Sequence, residues 1–157
     1  MSRLAVKAFC RETMALLDVP VPCAVLEQRP KSIPVGEQAV IVVAIDHSKE
    51  TRFTMPRVTG NKSIIHQMRL DLFWVAADEQ TGGAAFDELL EQVDGLFRSA
   101  PMPRDLTDPQ SGATSRLLFV GEDIETTVQE PLLDESLQGL VVFTASKIIQ
   151  TTELVQG

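Results

Sequence analysis

Residues 63 to 76 alternate between two faces more clearly than any other part of the chain. One face carries Ile64, His66, Met68, Leu70, Leu72 and Trp74, and the other carries Ile65, Gln67, Arg69, Asp71, Phe73 and Val75. A period of two predicts a strand, and the first face is apolar apart from its histidine. The period then changes. Phe86, Leu89, Leu90, Val93, Leu96 and Phe97 recur at spacings of three and four, which predicts an amphipathic helix. Thr81, before Gly82-Gly83, is its expected cap, and Asp87, Glu88, Glu91 and Asp94 form its wet face. Near the start, Val6, Phe9, Cys10, Thr13 and Leu17 make another helical stripe over residues 3–17. Asp18-Val19-Pro20-Val21-Pro22 stops it, because proline cannot continue the hydrogen-bond ladder.

Shorter apolar runs supply the other strands. They fall at Cys23–Gln28, Ala39–Ile45, Ser115–Val128 with a break at Gly121, and Leu140–Thr151. Prolines and glycines mark loops at Arg29–Gly36 and between Pro101 and Gly112. Asp46 to Gly60 is polar and without period, and is expected to be a long hairpin arm or loop, about 46–62. The order α, β, β, β, α, β, β predicts an α+β fold. Its sheet is mostly antiparallel, has about five strands, and carries two helices on one face. A chain of 157 residues suits one domain over 1–157.

Ala39–Ile45, Leu117–Val120 and Leu140–Phe143 are apolar on both faces. Two helices cover about one side of a sheet. The second side is therefore expected to carry apolar area that a neighbouring subunit buries. A head-to-tail contact that closes on itself makes a ring.

Charge changes this picture more than composition does. Apolar residues make up 44% and charged residues 23%, an ordinary globular balance. The net charge is −8 and unevenly spread. Residues 1–70 hold ten Lys/Arg against six Asp/Glu, giving +4, whereas residues 71–157 hold four against sixteen, giving −12. Such a split marks a partner surface or an acidic solvated face. It argues against gripping nucleic acid, which needs Lys and Arg at the phosphates. No apolar run approaches the length of a membrane span, and Lys7, Arg11 and Glu12 interrupt the first apolar segment, so neither a membrane partner nor a secretion signal is expected.

The inventory for chemistry is thin. His47 and His66 are the only histidines, and the two cysteines, Cys10 and Cys23, have no metal spacing. His66, on an apolar strand face, reads as a core histidine. Asp78-Glu79 and Glu122-Asp123 are acidic pairs that read as solvated turns before they read as cation ligands. With no nucleophile elbow, phosphate loop or HExxH helix, the expectation is a protein that is not an enzyme and has no cofactor or metal.

The opening helix followed by prolines, the apolar second strand, the arm after it, the unit Ile64–Phe97 and two closing strands resemble the tail terminator (tail completion) proteins of long-tailed bacteriophages. The likeness lies in order and texture over residues 3–152. It implies a structural virion protein, assembled in the host cytoplasm, six copies of which form a ring on the tail tube. The ring would end tube growth and present a docking face to the neck (head-completion) protein, while DNA only passes through the lumen. On that basis Lys49, Arg52, Arg57 and Lys62 are expected to contact a neighbouring subunit, the tube or the neck. Some of Glu122, Asp123, Glu125, Asp134 and Glu135 are expected to line an acidic lumen, where like charge keeps DNA from binding. The alternatives are another ring-forming neck connector or tail-tube-like protein, a small oligomeric enzyme with carboxylates at a subunit interface, and a small binding module.

Overall fold

The computed structural model describes residues 2–19, 21–28, 38–52, 61–133 and 140–155. Its elements run α1 (Ser2–Met14), β1 (Cys23–Leu26), β2 (Gln38–Arg52), β3 (Lys62–Ala76), α2 (Glu79–Ser99), β4 (Arg104–Thr107), β5 (Thr114–Val128), β6 (Leu132–Leu133) and β7 (Val141–Val155). The strands form one sheet in the order β1-β2-β3-β7-β5-β4, with β6 also on β7. The expected α+β domain with a mostly antiparallel, five-stranded sheet is not what is found. Strand accounts for 54% of the described residues and helix for 26%, and the sheet is mixed, seven-stranded and curled into a half-barrel. Its first pair, β1 with β2, is parallel.

Three physical causes lie behind the difference. β4 and β6 are only four and two residues long, too short to show a period. The polar segment after Ile45 is not a loop: β2 continues to Arg52, and Lys49 to Arg52 pair with Ile65 to Lys62. A bulge between Ile45 and His47 breaks the alternation there, so the strand cannot be followed by eye. Residues 53–60, the rest of the expected arm, lie outside the described residues. On β5, one bulge falls between Leu117 and Phe119 and a wider one between Val120 and Ile124. Bulges bend a strand and raise its twist, and these two strands flank the centre of a sheet that curls.

The concave side holds the core. Ile41, Val43, Met68, Leu70, Leu72, Phe143, Ala145 and Ile149 face it, and Val6, Phe9 and Cys10 of α1 and Phe86, Leu89, Val93 and Phe97 of α2 fill it. Phe9 and Phe97 meet edge to face at 6.4 Å, a favoured geometry for two rings. Helix α1 lies across the opening of the half-barrel. Arg11 pairs with Glu27 beyond β1 at 3.3 Å, and Glu12 pairs with Arg104 of β4 at 3.0 Å. Arg104 also stacks over Phe9, 5.2 Å from the ring centre. Such exposed ion pairs add little stability each. The apolar stripe beneath them holds the helix.

The helix-free side differs from expectation too. Val40, Val42 and Phe73 form one buried cluster with Leu26, and Val75 and Val142 form another with Leu140. That apolar area is thus covered within the chain. Among the described residues, the large apolar side chains left exposed are Leu16, Phe119, Val128, Leu132 and Leu133.

Helix α2 starts earlier than Thr81. Asp78 caps it, its Oδ2 accepting from the Thr81 backbone N–H at 3.1 Å and from the Thr81 hydroxyl at 3.0 Å. Those hydrogen bonds, the backbone one foremost, hold the Asp78 carboxyl below its usual range. The Gly82-Gly83 step is therefore inside the helix. A Cβ on Gly82 would lie 2.5 Å from the Ala76 Cβ and 2.8 Å from the Phe143 ring. Gly95, in the same helix, has nothing within 4 Å of such a Cβ. The two glycines should respond oppositely to alanine. Gly82→Ala should lower stability by about 1–2 kcal/mol, overpacking outweighing helix propensity. Gly95→Ala should raise it by about 0.5–1 kcal/mol. Urea unfolding midpoints of the two variants check both signs.

Candidate functional site

Four long strands, β2, β3, β7 and β5, form the body of the sheet, and each neighbouring pair is antiparallel. β1 covers only Ala39 to Val42 of β2, and β4 covers only Thr114 to Leu117 of β5. Beyond those points no described strand pairs with the outer edge of β2 or of β5. Among the described residues, two strand edges at opposite sides of one ladder are thus left open. On β2 the residues Asp46 to Arg52 are exposed apart from a half-buried Ser48. On β5 Glu122, Asp123 and Glu125 to Val128 are exposed, and beyond Gln129, which donates its N–H to the Thr144 carbonyl at 3.0 Å, β6 extends the edge.

The sequence-predicted residues divide between these edges. Lys49 and Arg52 lie on β2. Lys62 opens β3 and pairs with Glu50 at 3.0 Å. Glu122 and Asp123 lie in the wide bulge of β5, after Gly121, whose φ of 74° is the left-handed region that suits glycine. Glu125 pairs with Ile148 and so lies on the helix-free face. Arg57, Asp134 and Glu135 lie outside the described residues. Lys49 and Arg52 do not meet Glu122, Asp123 or Glu125 within one chain, because β3 and β7 stand between β2 and β5. The helix-free face is of mixed sign: Arg69 pairs there with Asp46 at 2.7 Å and with Asp71 at 3.3 Å.

A second polar constellation lies on the concave face. Ser48, His66, Glu153 and Ser115 form a chain across β2, β3, β7 and β5. Ser48 Oγ is 2.7 Å from His66 Nδ1, and His66 Nε2 is 3.0 Å from Glu153 Oε1. The Ser115 hydroxyl donates to Glu153 Oε2. A carboxylate only accepts, so the Nε2 proton points at Glu153 and Nδ1 faces the Ser48 hydroxyl. His66 and Glu153 have no exposed surface. The chain therefore works as a bolt across four strands. His66 fits the core-histidine reading, but its partner Glu153 was not legible. The last strand was expected to end at Thr151, and Glu153 falls two residues beyond, on the same face by period two. Lys147 is similarly placed: its Nζ donates to Asp94 Oδ1 and to Thr126 Oγ1, each at 2.7 Å. That ties α2 to the sheet.

Beside the bolt, at the mouth of the half-barrel, is a cavity of about 220 Å³ lined by Ala5, Ile64, Ala113, Val155, Ser115 and the Glu50–Lys62 pair, among others. No group of three or more metal-ligating side chains occurs among the described residues, and no described helix is long and apolar enough to cross a membrane. Neither a family model nor a curated protein matches the chain.

Two outcomes follow from burial. Glu153→Ala leaves His66 and Ser115 without their acceptor and should lower unfolding stability by about 3 kcal/mol, measured by urea titration, while Lys49→Ala should leave it within about 0.5 kcal/mol. Burial pushes the Cys10 thiol up to about 12, and raises Cys23 as well. Cys10 has no exposed surface, whereas Cys23 is half-buried. A maleimide at about pH 8 should therefore label Cys23 first in the folded protein and Cys10 only on unfolding, as peptide mass mapping would read. The sign for stability follows. The unfolded thiol loses its proton first, so this contribution is complete below about pH 9 and declines as pH rises toward 12.

Proposed function

We propose that this chain is a structural component of a long-tailed phage tail, a tail terminator whose copies close into a ring on the tail tube. The observation that carries the reading is the pair of different strand edges left open among the described residues: Asp46 to Arg52 of β2, where Asp46 and Glu50 offset Lys49 and Arg52, and the acidic stretch of Glu122, Asp123 and Glu125 on β5. A surface that complements a different surface of the same molecule makes head-to-tail contacts, and these close into rings when the rotation allows. A ring of six is the expectation from the resemblance in element order. Phe119, Val128, Leu132 and Leu133, large apolar side chains exposed at 51% to 72%, add apolar area along the acidic edge. An architectural role is supported by two interior ties: Ser48, His66, Glu153 and Ser115 are engaged in one chain, and Lys147 with Asp94 in another.

In this reading the ring ends tube growth, offers its other face to the neck, and lets DNA pass without gripping it. Glu125 lies on the helix-free face, where a lumen would lie if that face turned inward. Asp134 and Glu135 remain lumen candidates from sequence.

Native mass spectrometry over a concentration series, alone and with tail tubes, tests the reading. Closed assemblies of about six copies, seen as rings by negative stain, are expected. A monomer under every condition, tubes included, would overturn it.

A further inference from the structure

Two leucines at the end of the acidic edge specify what that edge takes. We infer that the outer edge of β5 and β6, from Ile124 to Leu133, takes an added strand from another protein, an extended segment of alternating apolar and basic residues. The ring reading concerns how copies of this chain meet, and this inference stands without it.

The edge is continuous past its bulge. From Ile124 to Val128 the register of β5 on β7 is unbroken, Gln129 donates to Thr144, and Leu132 and Leu133 continue on Val142 and Val141. No described strand pairs with the outer side of this stretch. Such an edge offers its outward N–H and C=O groups to an incoming strand. The leucines decide the mode of binding. Successive strand residues point to opposite faces. Leu132 stands opposite Val142 of a helix-free cluster, and Leu133 opposite Val141 of the concave core. Both are apolar, yet 61% and 72% exposed. A helix laid on one face would cover one of them and leave the other in water. A strand added along the edge flanks both, and Val128 as well.

Charge selects the partner. Leu117 to Leu133 holds Glu122, Asp123, Glu125 and Glu130 and no Lys or Arg. Asp87 and Glu91 of α2 are exposed, and they share the side of the helix from which Asp94 reaches Lys147. Arg98, on that side too, follows Phe97, which packs beside Gly121 at the bulge end. A basic strand is favoured here, and an acidic one is excluded by like charge. The open stretch of β2 in a second copy does not qualify. Asp46 to Arg52 contains no apolar residue to cover the leucines, and Asp46 and Glu50 offset Lys49 and Arg52. It also lies at a different height. Ile45, Met68, Ile149 and Ile124 form one row across the sheet. Asp46 to Arg52 lie on one side of that row, and the stretch from Ile124 to Leu133 extends to the other. Copies that meet level by these edges leave the leucines uncovered.

Peptide binding tests the edge. The probes are fluorescein-labelled peptides of about nine residues, a strand's length, with blocked ends and lysine alternating with valine or leucine. Two controls carry glutamate for lysine, or N-methylated backbone amides. By fluorescence anisotropy the full chain should bind the lysine peptides about tenfold or more tightly than the glutamate peptides. The N-methylated peptides, which cannot donate along an edge, should also bind about tenfold more weakly. Leu132→Asn with Leu133→Asn should weaken binding of the lysine peptides about tenfold, while far-UV circular dichroism stays native. Lysine peptides that do not bind the wild type, or that bind the leucine variant equally well, overturn the inference and leave the ring reading untouched. A wild type that binds no peptide but loses self-assembly with the leucine variant gives the edge to a second copy: the inference falls and the ring reading gains. Peptide binding by a wild type that stays monomeric even with tubes keeps the inference and sinks the ring.

Discussion

The pairing of β3 with β7 is the constraint on which the rest of the molecule depends. It runs unbroken from Lys62 opposite Val155 to Ala76 opposite Val141. Because a strand shows alternate residues to alternate sides, this one register decides which side chains enter the core and which face away. A slip of one residue would turn Met68, Leu70 and Leu72 outward and leave both helices without a surface. The bolt of His66 on Glu153 lies across this pairing, at a sequence separation of 87. It is polar, satisfied, and specific to one register. Apolar side chains drive the collapse, but they tolerate slips that this hydrogen bond does not.

Irregularity is reserved for the outer long strands. β2 and β5 carry the bulges, and the central pair carries none. The division has a mechanical sense. The sheet bends along a row while its centre keeps full hydrogen bonding, and α1 then covers the opening that the bend leaves. Lys147 adds a second tie, joining Asp94 of α2 to Thr126 of β5. A buried lysine is costly unless paired, and its placement under α2 limits where that helix can sit.

Legibility in the sequence followed period and length. β3 and α2 were readable because each keeps one period over many residues, with apolar side chains at the inward positions. The apolar start of β2, Ala39 to Ile45, was readable for the same reason. Its polar continuation was not, because Asp46 interrupts the alternation and neither face after it is apolar. β4 follows Pro101 and Pro103 and spans only two alternations. Thr81 looked like a helix cap because it precedes two glycines. Asp78 takes that place, since Gly82 is needed inside the helix where Ala76 and Phe143 come close. The charged candidates Lys49, Arg52, Glu122 and Asp123 were visible as residue types, but their placement on two opposite edges depends on strand order. Strand order is set by contacts far apart in sequence, and no local pattern carries it.

The position of β7 has a consequence for how the chain reaches this state. It is the last of the described strands in chain order and yet lies between β3 and β5. During synthesis the β2–β3 and β4–β5 hairpins are complete first, each with an inner edge waiting for a partner that has not left the ribosome. Contacts of such long separation form slowly, and unpaired edges are open to the wrong strand meanwhile. The fold is thus closed from its middle, by a keystone, and a nascent chain lacking those last residues has two half-sheets with nothing to join them.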